Sequence, residues 1–136
     1  MTKERLIQQA MKQLPKAYAP YSGFHVAAAL LCKDDSIYTG HNIENAAYSA
    51  TVCAERTAFF KAISDGKRGF HSIVVCGGKD GMIDDYCAPC GVCRQVMREF
   101  CEPDFQIILA KSETDFCIYT LDELLPVSFG PEQLTS

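Results

Sequence analysis

Two stretches of this chain each place cysteine at the start of a segment with helical apolar spacing. They are TVCAERTAFF at 51–60, with Cys53 and Glu55, and APCGVCRQV at 88–96, with Cys90 and Cys93. A helix that buries Ala58, Phe59 and Ala62 has no packing use for a thiol and a carboxylate in its first turn, because burying either is costly unless something binds or uses it. The first stretch therefore depends on the second, 37 positions on from Cys53 to Cys90. A fold that serves both must bring two helix starts together.

The rest of the chain supplies the frame. Leu6, Ile7, Ala10, Met11 and Leu14 recur at helical spacing after a Thr2 cap, which predicts a first helix running to Pro15. YAPYSG punctuates, and FHVAAALLCK and SIYTGHNI read as two strands joined at Asp34–Asp35. The second helix places Val52, Ala58, Phe59, Ala62 and Ile63 on one face and ends just before Gly66. HSIVVCGG is an uninterrupted apolar run suited to a sheet interior. A third helix follows Pro89, with Cys93, Val96, Met97 and Phe100 inward. DFQIILA and DFCIY are two further strands, and Thr120 with Glu123 forms a capping box for a short last helix. Alternating strands and helices specify the α/β class, with helices packed on a central sheet. No repeat or linker divides residues 1–136, so one domain is expected.

Charge and composition remove several functions. The formal net charge of −4, without a Lys/Arg cluster, argues against a surface that tracks nucleic-acid phosphates. The charged segment MTKERLIQQAMKQL is neither a secretion signal nor a membrane span, so a cytoplasmic location is expected. In that reducing compartment the eight cysteines stay free, and closely spaced pairs point to metal or redox chemistry.

Three thiolates from Cys53, Cys90 and Cys93 can hold one zinc ion tetrahedrally and leave the fourth position for water, the arrangement of a catalytic site. The positive ends of two helices and the neighbouring Arg56 stabilise the thiolates. Glu55, two residues from a ligand, is then placed as general acid and base. A rival remains open. CAPCGVC contains two overlapping C-x-x-C pairs, Cys87 could supply a fourth sulfur, and a structural zinc or thiol-redox protein would result. That rival gives Glu55 no task.

C-A-E followed at a distance by P-C-x-x-C matches the zinc deaminase signature, with cysteine in place of histidine as first ligand. With AYAPYSGFHVAAALL, NIENAAYSATVCAERTA, PCGVCRQVMREF and LDELLPVSFGPEQL in that order, nearly the full length resembles the small, homotetrameric cytidine deaminases. The resemblance implies a three-layer α/β/α sandwich with a five-stranded mixed sheet. It also implies hydrolytic deamination of cytidine and deoxycytidine in pyrimidine salvage, with one zinc per chain. On matching positions it implies that Glu55 shuttles protons and that Arg56 hydrogen-bonds the ligand sulfurs. Phe24 becomes a platform for the pyrimidine, Asn42 and Glu44 readers of the ribose hydroxyls, and the Ala54 backbone part of the grip on the base. Phe129 becomes an aromatic that reaches a neighbouring subunit's site, with Tyr48 near that junction. The implied partner is a small nucleoside, neither nucleic acid nor membrane.

Residue chemistry suits Asn42 and Glu44 to a hydroxyl-rich ligand, since polar side chains left unpaired there would be costly to bury, but without the resemblance they read as solvated loop residues and Phe24 as core. His41, Ala27 and Ala88 depart from the family's usual pattern, where a small residue, glycine and serine respectively are common. None of them removes a ligand or Glu55.

Overall fold

The computed structural model describes residues 1–135. Thr2 opens α1 (Lys3–Met11), its hydroxyl accepting from the Arg5 N–H at 3.2 Å. Leu6, Ile7 and Ala10 are its buried stripe. The helix ends at Met11, short of the boundary expected at Pro15. Leu14 and Pro15 instead belong to a separate 3-10 turn (Leu14–Lys16), which accepts Pro at its start because an N–H there would have no intrahelical acceptor.

The sheet contains β1 (Phe24–Cys32), β2 (Ile37–His41), β3 (Phe70–Lys79), β4 (Gln106–Ala110) and β5 (Phe116–Thr120), in the order β2-β1-β3-β4-β5. β1 and β2 form the expected hairpin, with Asp35 at φ 70° in the turn. β3 and β4 are parallel and the other pairs antiparallel, so the sheet is mixed. The parallel pair brackets α3 (Gly91–Phe100), and α2 (Ala54–Ser64) connects β2 to β3. Gly66, at φ 91° just past α2, takes the left-handed conformation that closes a helix without a Cβ penalty. The Thr120–Glu123 capping box starts α4 (Leu121–Leu124) as expected.

Burial divides into two layers. α1 packs on Ala27, Ala29, Leu31, Val74, Cys76 and Ile108 from one face of the sheet. α2 and α3 pack on the other, where Phe59, Met97, Ile73 and Ile107 fill the space against Ala28, Leu30 and Val75. This is the three-layer α/β/α sandwich with a five-stranded mixed sheet. Alternation along β1 explains the division, because successive residues of a strand point to opposite faces. Ala27, which stands where the family commonly has glycine, is fully buried on the α1 side and pairs in register with His41. Val52, assigned above to the face of α2, lies before the helix and pairs with Ile43 in a single bridge.

Candidate metal centre

Both cysteine stretches begin helices. Cys53 is the N-cap of α2 and Cys90 the N-cap of α3, each with extended backbone. The Cys53 side chain makes no capping bond to its own helix, so its sulfur is free to face the other helix start. Sγ of Cys53 lies 3.7 Å from Sγ of Cys90, and Cys90 Sγ lies 3.4 Å from Cys93 Sγ. All three sulfurs fall within 4.8 Å of one another, and they are the one such metal-capable group among the described residues. A regular zinc tetrahedron with Zn–S bonds of ~2.3 Å has edges of ~3.8 Å, so the trio fits the ion. Cys87 stands outside the group, and burial pushes its thiol up to about 12. His25, His41 and His71 are likewise not part of it.

Electrostatics favour a sulfur anion at Cys53. The Cys53 thiol is held down at about 5, first by its hydrogen bond with Cys93 and then by Arg56, against the opposing effect of burial. Arg56 Nη2 donates to Cys53 Sγ at 3.3 Å. The shared proton drives the Cys93 thiol upward, and a binding metal ion would displace it.

Glu55 faces the same place. It is 3% exposed, burial pushes its carboxyl up to about 7, and Oε1 has no hydrogen-bond partner among the described residues. A buried carboxylate oxygen without a partner is costly unless a bound group meets it. Arg56 Nε is buried and unpartnered as well. A trio of thiols, a free carboxylate oxygen and a cation behind one thiol suit a catalytic zinc centre better than a closed structural one.

The substrate-side candidates stand in different states. Phe24 is partly exposed and edges a 150 Å³ cavity with Gly77, Met82, Tyr86 and Cys87. Asn42 is buried, its Oδ1 accepting from Val26 N–H at 2.9 Å and its Nδ2 donating to Phe24 O at 2.8 Å. Glu44 accepts from the N–H groups of Tyr21 and Ser22 at 2.9 and 3.1 Å and from the Ser22 hydroxyl. These bonds, the Ser22 hydroxyl first, hold its carboxyl below the usual range. The argument that Asn42 and Glu44 would stand unpaired is thereby corrected: both are satisfied by the backbone of the 21–26 segment and by Ser22. That segment holds them in fixed orientation, a part the sequence reading missed although the PYSG turn signalled its start. Tyr48 and Phe129 are exposed, and Ala54 is fully buried. Tyr48 lines a groove of about 410 Å³ with Tyr21, Ser22 and Glu44. Phe129 stands in a tail held by α3, where Gln95 Nε2 donates to Phe129 O at 2.9 Å.

An α/β/α sandwich carrying a cysteine trio and a buried carboxylate at paired helix starts defines a zinc-dependent hydrolytic enzyme. Residues 1–109 match the family model for the cytidine and deoxycytidylate deaminase zinc-binding region. A cytidine deaminase of Sporosarcina psychrophila is 47% identical over 135 residues, covering 99% of this chain and 96% of that one. One from Halalkalibacterium halodurans is 45% identical over 134 residues, 98% of each. The crystal structure of the Burkholderia pseudomallei cytidine deaminase superposes with a TM-score of 0.87 at 42% identity, covering 95% of this chain and all of that one. The chain belongs to the cytidine and deoxycytidylate deaminase family.

Proposed function

We propose that this chain hydrolyses cytidine and deoxycytidine at C4, giving the uridine counterpart and ammonia, with Glu55 carrying the protons. The observation that carries this assignment of roles is the buried Glu55 Oε1, without a partner, beside the three sulfurs. Cys53, Cys90 and Cys93 would hold one zinc ion, which when bound supplies an acidified water. The Glu55 carboxylate accepts one proton from the attacking water and delivers it to N3 of the ring. The water oxygen forms the new bond at C4. Glu55 then relays the second proton to the exocyclic nitrogen, and the C4–N bond breaks to release ammonia. Water plus cytidine thus balances uridine plus ammonia, and Glu55 ends as it began. Burial suits this task, since a carboxyl raised toward neutrality both accepts and returns a proton readily. Three thiolates make the filled site anionic overall, and Arg56 with the two helix N-termini offsets that charge.

Phe24 would stack on the pyrimidine, the Ala54 backbone would hold the base edge, and Asn42 and Glu44 would read the ribose hydroxyls with acceptor and donor capacity left over from their backbone bonds. The working unit would be a cytoplasmic homotetramer of single-domain chains, with Phe129, near Tyr48 of the neighbour, completing an adjoining site. The exposure of both aromatics supports this reading. No helix among the described residues is long and apolar enough to cross a membrane.

The test is Glu55→Gln, followed by ultraviolet absorbance with cytidine and by metal analysis. The variant is expected to keep one zinc per chain and to lose turnover by at least ~10²–10⁴, the usual worth of general acid–base catalysis. Loss of the metal would make Glu55 a ligand, and full activity would remove it from the mechanism.

A further inference from the structure

Cys90 is the most exposed of the three sulfur residues, and it stands where an irregular loop turns into α3. The next residue but two after it in the motif, Cys93, is anchored by burial in the helix. Cys90 lacks that burial: its Sγ accepts from Cys93 N–H at 3.5 Å and its carbonyl from Arg94 N–H at 3.0 Å, so on its other side its place depends on how the loop before it is held. Arg94 holds that loop. Its Nε donates to the carbonyl of Pro89, the residue directly before Cys90, at 2.7 Å. Its Nη1 donates to the carbonyl of Leu124, at the end of α4, at 2.8 Å. A cation in the first turn of a helix is disfavoured by the macrodipole, so local helix energetics do not favour arginine at this position. Two carbonyl acceptors at opposite ends of a planar fork do, because lysine cannot span both.

We infer that Arg94 is a positioning residue for the zinc centre, tying the Pro89–Cys90 ligand arm to the end of α4 so that Cys90 Sγ stays within reach of the other two sulfurs. The inference rests on the metal reading above. Arg94 acts through the backbone, its side chain bonding two carbonyls and none of the three sulfurs. Residues that orient metal ligands at one remove typically affect metal affinity 10–100-fold.

Arg98 provides an internal control. It lies one turn further along the same helix and binds Ser128 Oγ at 2.8 Å and the Glu132 carboxylate, so it holds the C-terminal tail and makes no bond to the ligand arm. The experiment measures zinc release from the purified holoenzyme to a chromophoric chelator for the wild type, R94Q, R94K and R98Q, beside far-ultraviolet circular dichroism. Release from R94Q should be roughly 10–100-fold faster than from the wild type. R94K, able to satisfy one carbonyl, should fall between the two, and R98Q should match the wild type. Unchanged release from R94Q and R94K overturns the inference, even if both melt earlier, because Arg94 would then serve stability alone. Equal acceleration in R98Q overturns it as well, since any loosening of the C-terminal segment would suffice. If R94Q does not fold, R94K against R98Q decides the matter in the same way. A wild-type protein that holds no zinc would instead refute the metal reading itself and Arg94's role with it.

Discussion

Replacing Gly40 by alanine should damage the centre from outside it. Gly40 lies on β2 where the strand crosses the first turn of α2, directly after Cys53. A Cβ added there would lie 2.7 Å from Ala58 N and 3.1 Å from Thr57 Cβ, with Ala54 O closer still. Ala54 O and Ala58 N are backbone atoms of one helical turn, and neither can rotate aside. To restore an ordinary contact, strand and helix must separate by about 0.7 Å or more. Overpacking of this kind typically costs about 1–3 kcal/mol. For a chain of this size that lowers Tm by roughly 4–12 °C. The displaced helix is the one that carries Cys53 and Glu55, whereas Cys90 and Cys93 ride on α3. The shift therefore falls between Glu55 and two of the sulfurs, and misplacement on the scale of 1 Å can cost ~10²-fold in rate. Scanning calorimetry of zinc-loaded G40A, with ultraviolet assay of cytidine turnover, measures both effects. A variant that melts within about a degree of the wild type and keeps its turnover would mean that the close approach of β2 does not position the centre.

Three other outcomes are expected. Cys53→Ser, Cys90→Ser and Cys93→Ser should each lose zinc on metal analysis, while Cys87→Ser should retain it; retention in the Cys53 variant, or loss confined to Cys87, would reassign the ligands. Co-assembled E55Q and Phe129→Ala chains should exceed the summed activity of the two separate variants, since some sites would pair an intact Glu55 with a neighbour's Phe129; strictly additive activity in demonstrated mixed tetramers would keep Phe129 within its own chain. In metal-stripped protein, Glu55 faces Cys53, Cys93 and Arg56 with its carboxyl raised from 4.5 to about 7, chiefly by burial. The folded state then binds the extra proton, so Glu55's contribution is present below the unfolded value and lost as pH rises through about 7. Metal-stripped E55Q should consequently gain in Tm relative to metal-stripped wild type across that window, and parallel melting curves would contradict it.

What the sequence determined by itself was the local part. Thr2, Cys53 and Cys90 mark helix starts and Gly66 a helix end, because caps and left-handed turns are chosen by residues within a few positions of one another. The inward stripe of α3 was legible for the same reason, since its period is fixed by helix geometry. The C-A-E and P-C-x-x-C spacings carried the three ligands and Glu55 because each group sits within one helical turn. The end of α1 was misplaced because a 3-10 turn continues the apolar spacing past Met11. Val52 was misplaced because its bridge to Ile43 is a non-local pairing. Only the tertiary structure decided that sulfurs 37 positions apart lie 3.7 Å from each other. It alone decided that residues 21–26 satisfy Asn42 and Glu44, and that Arg94 joins Pro89 to Leu124. Such hydrogen bonds join residues brought together by packing of the whole sheet and its helices. They leave no period along the chain, and the side chains that make them would serve equally well on a solvated surface.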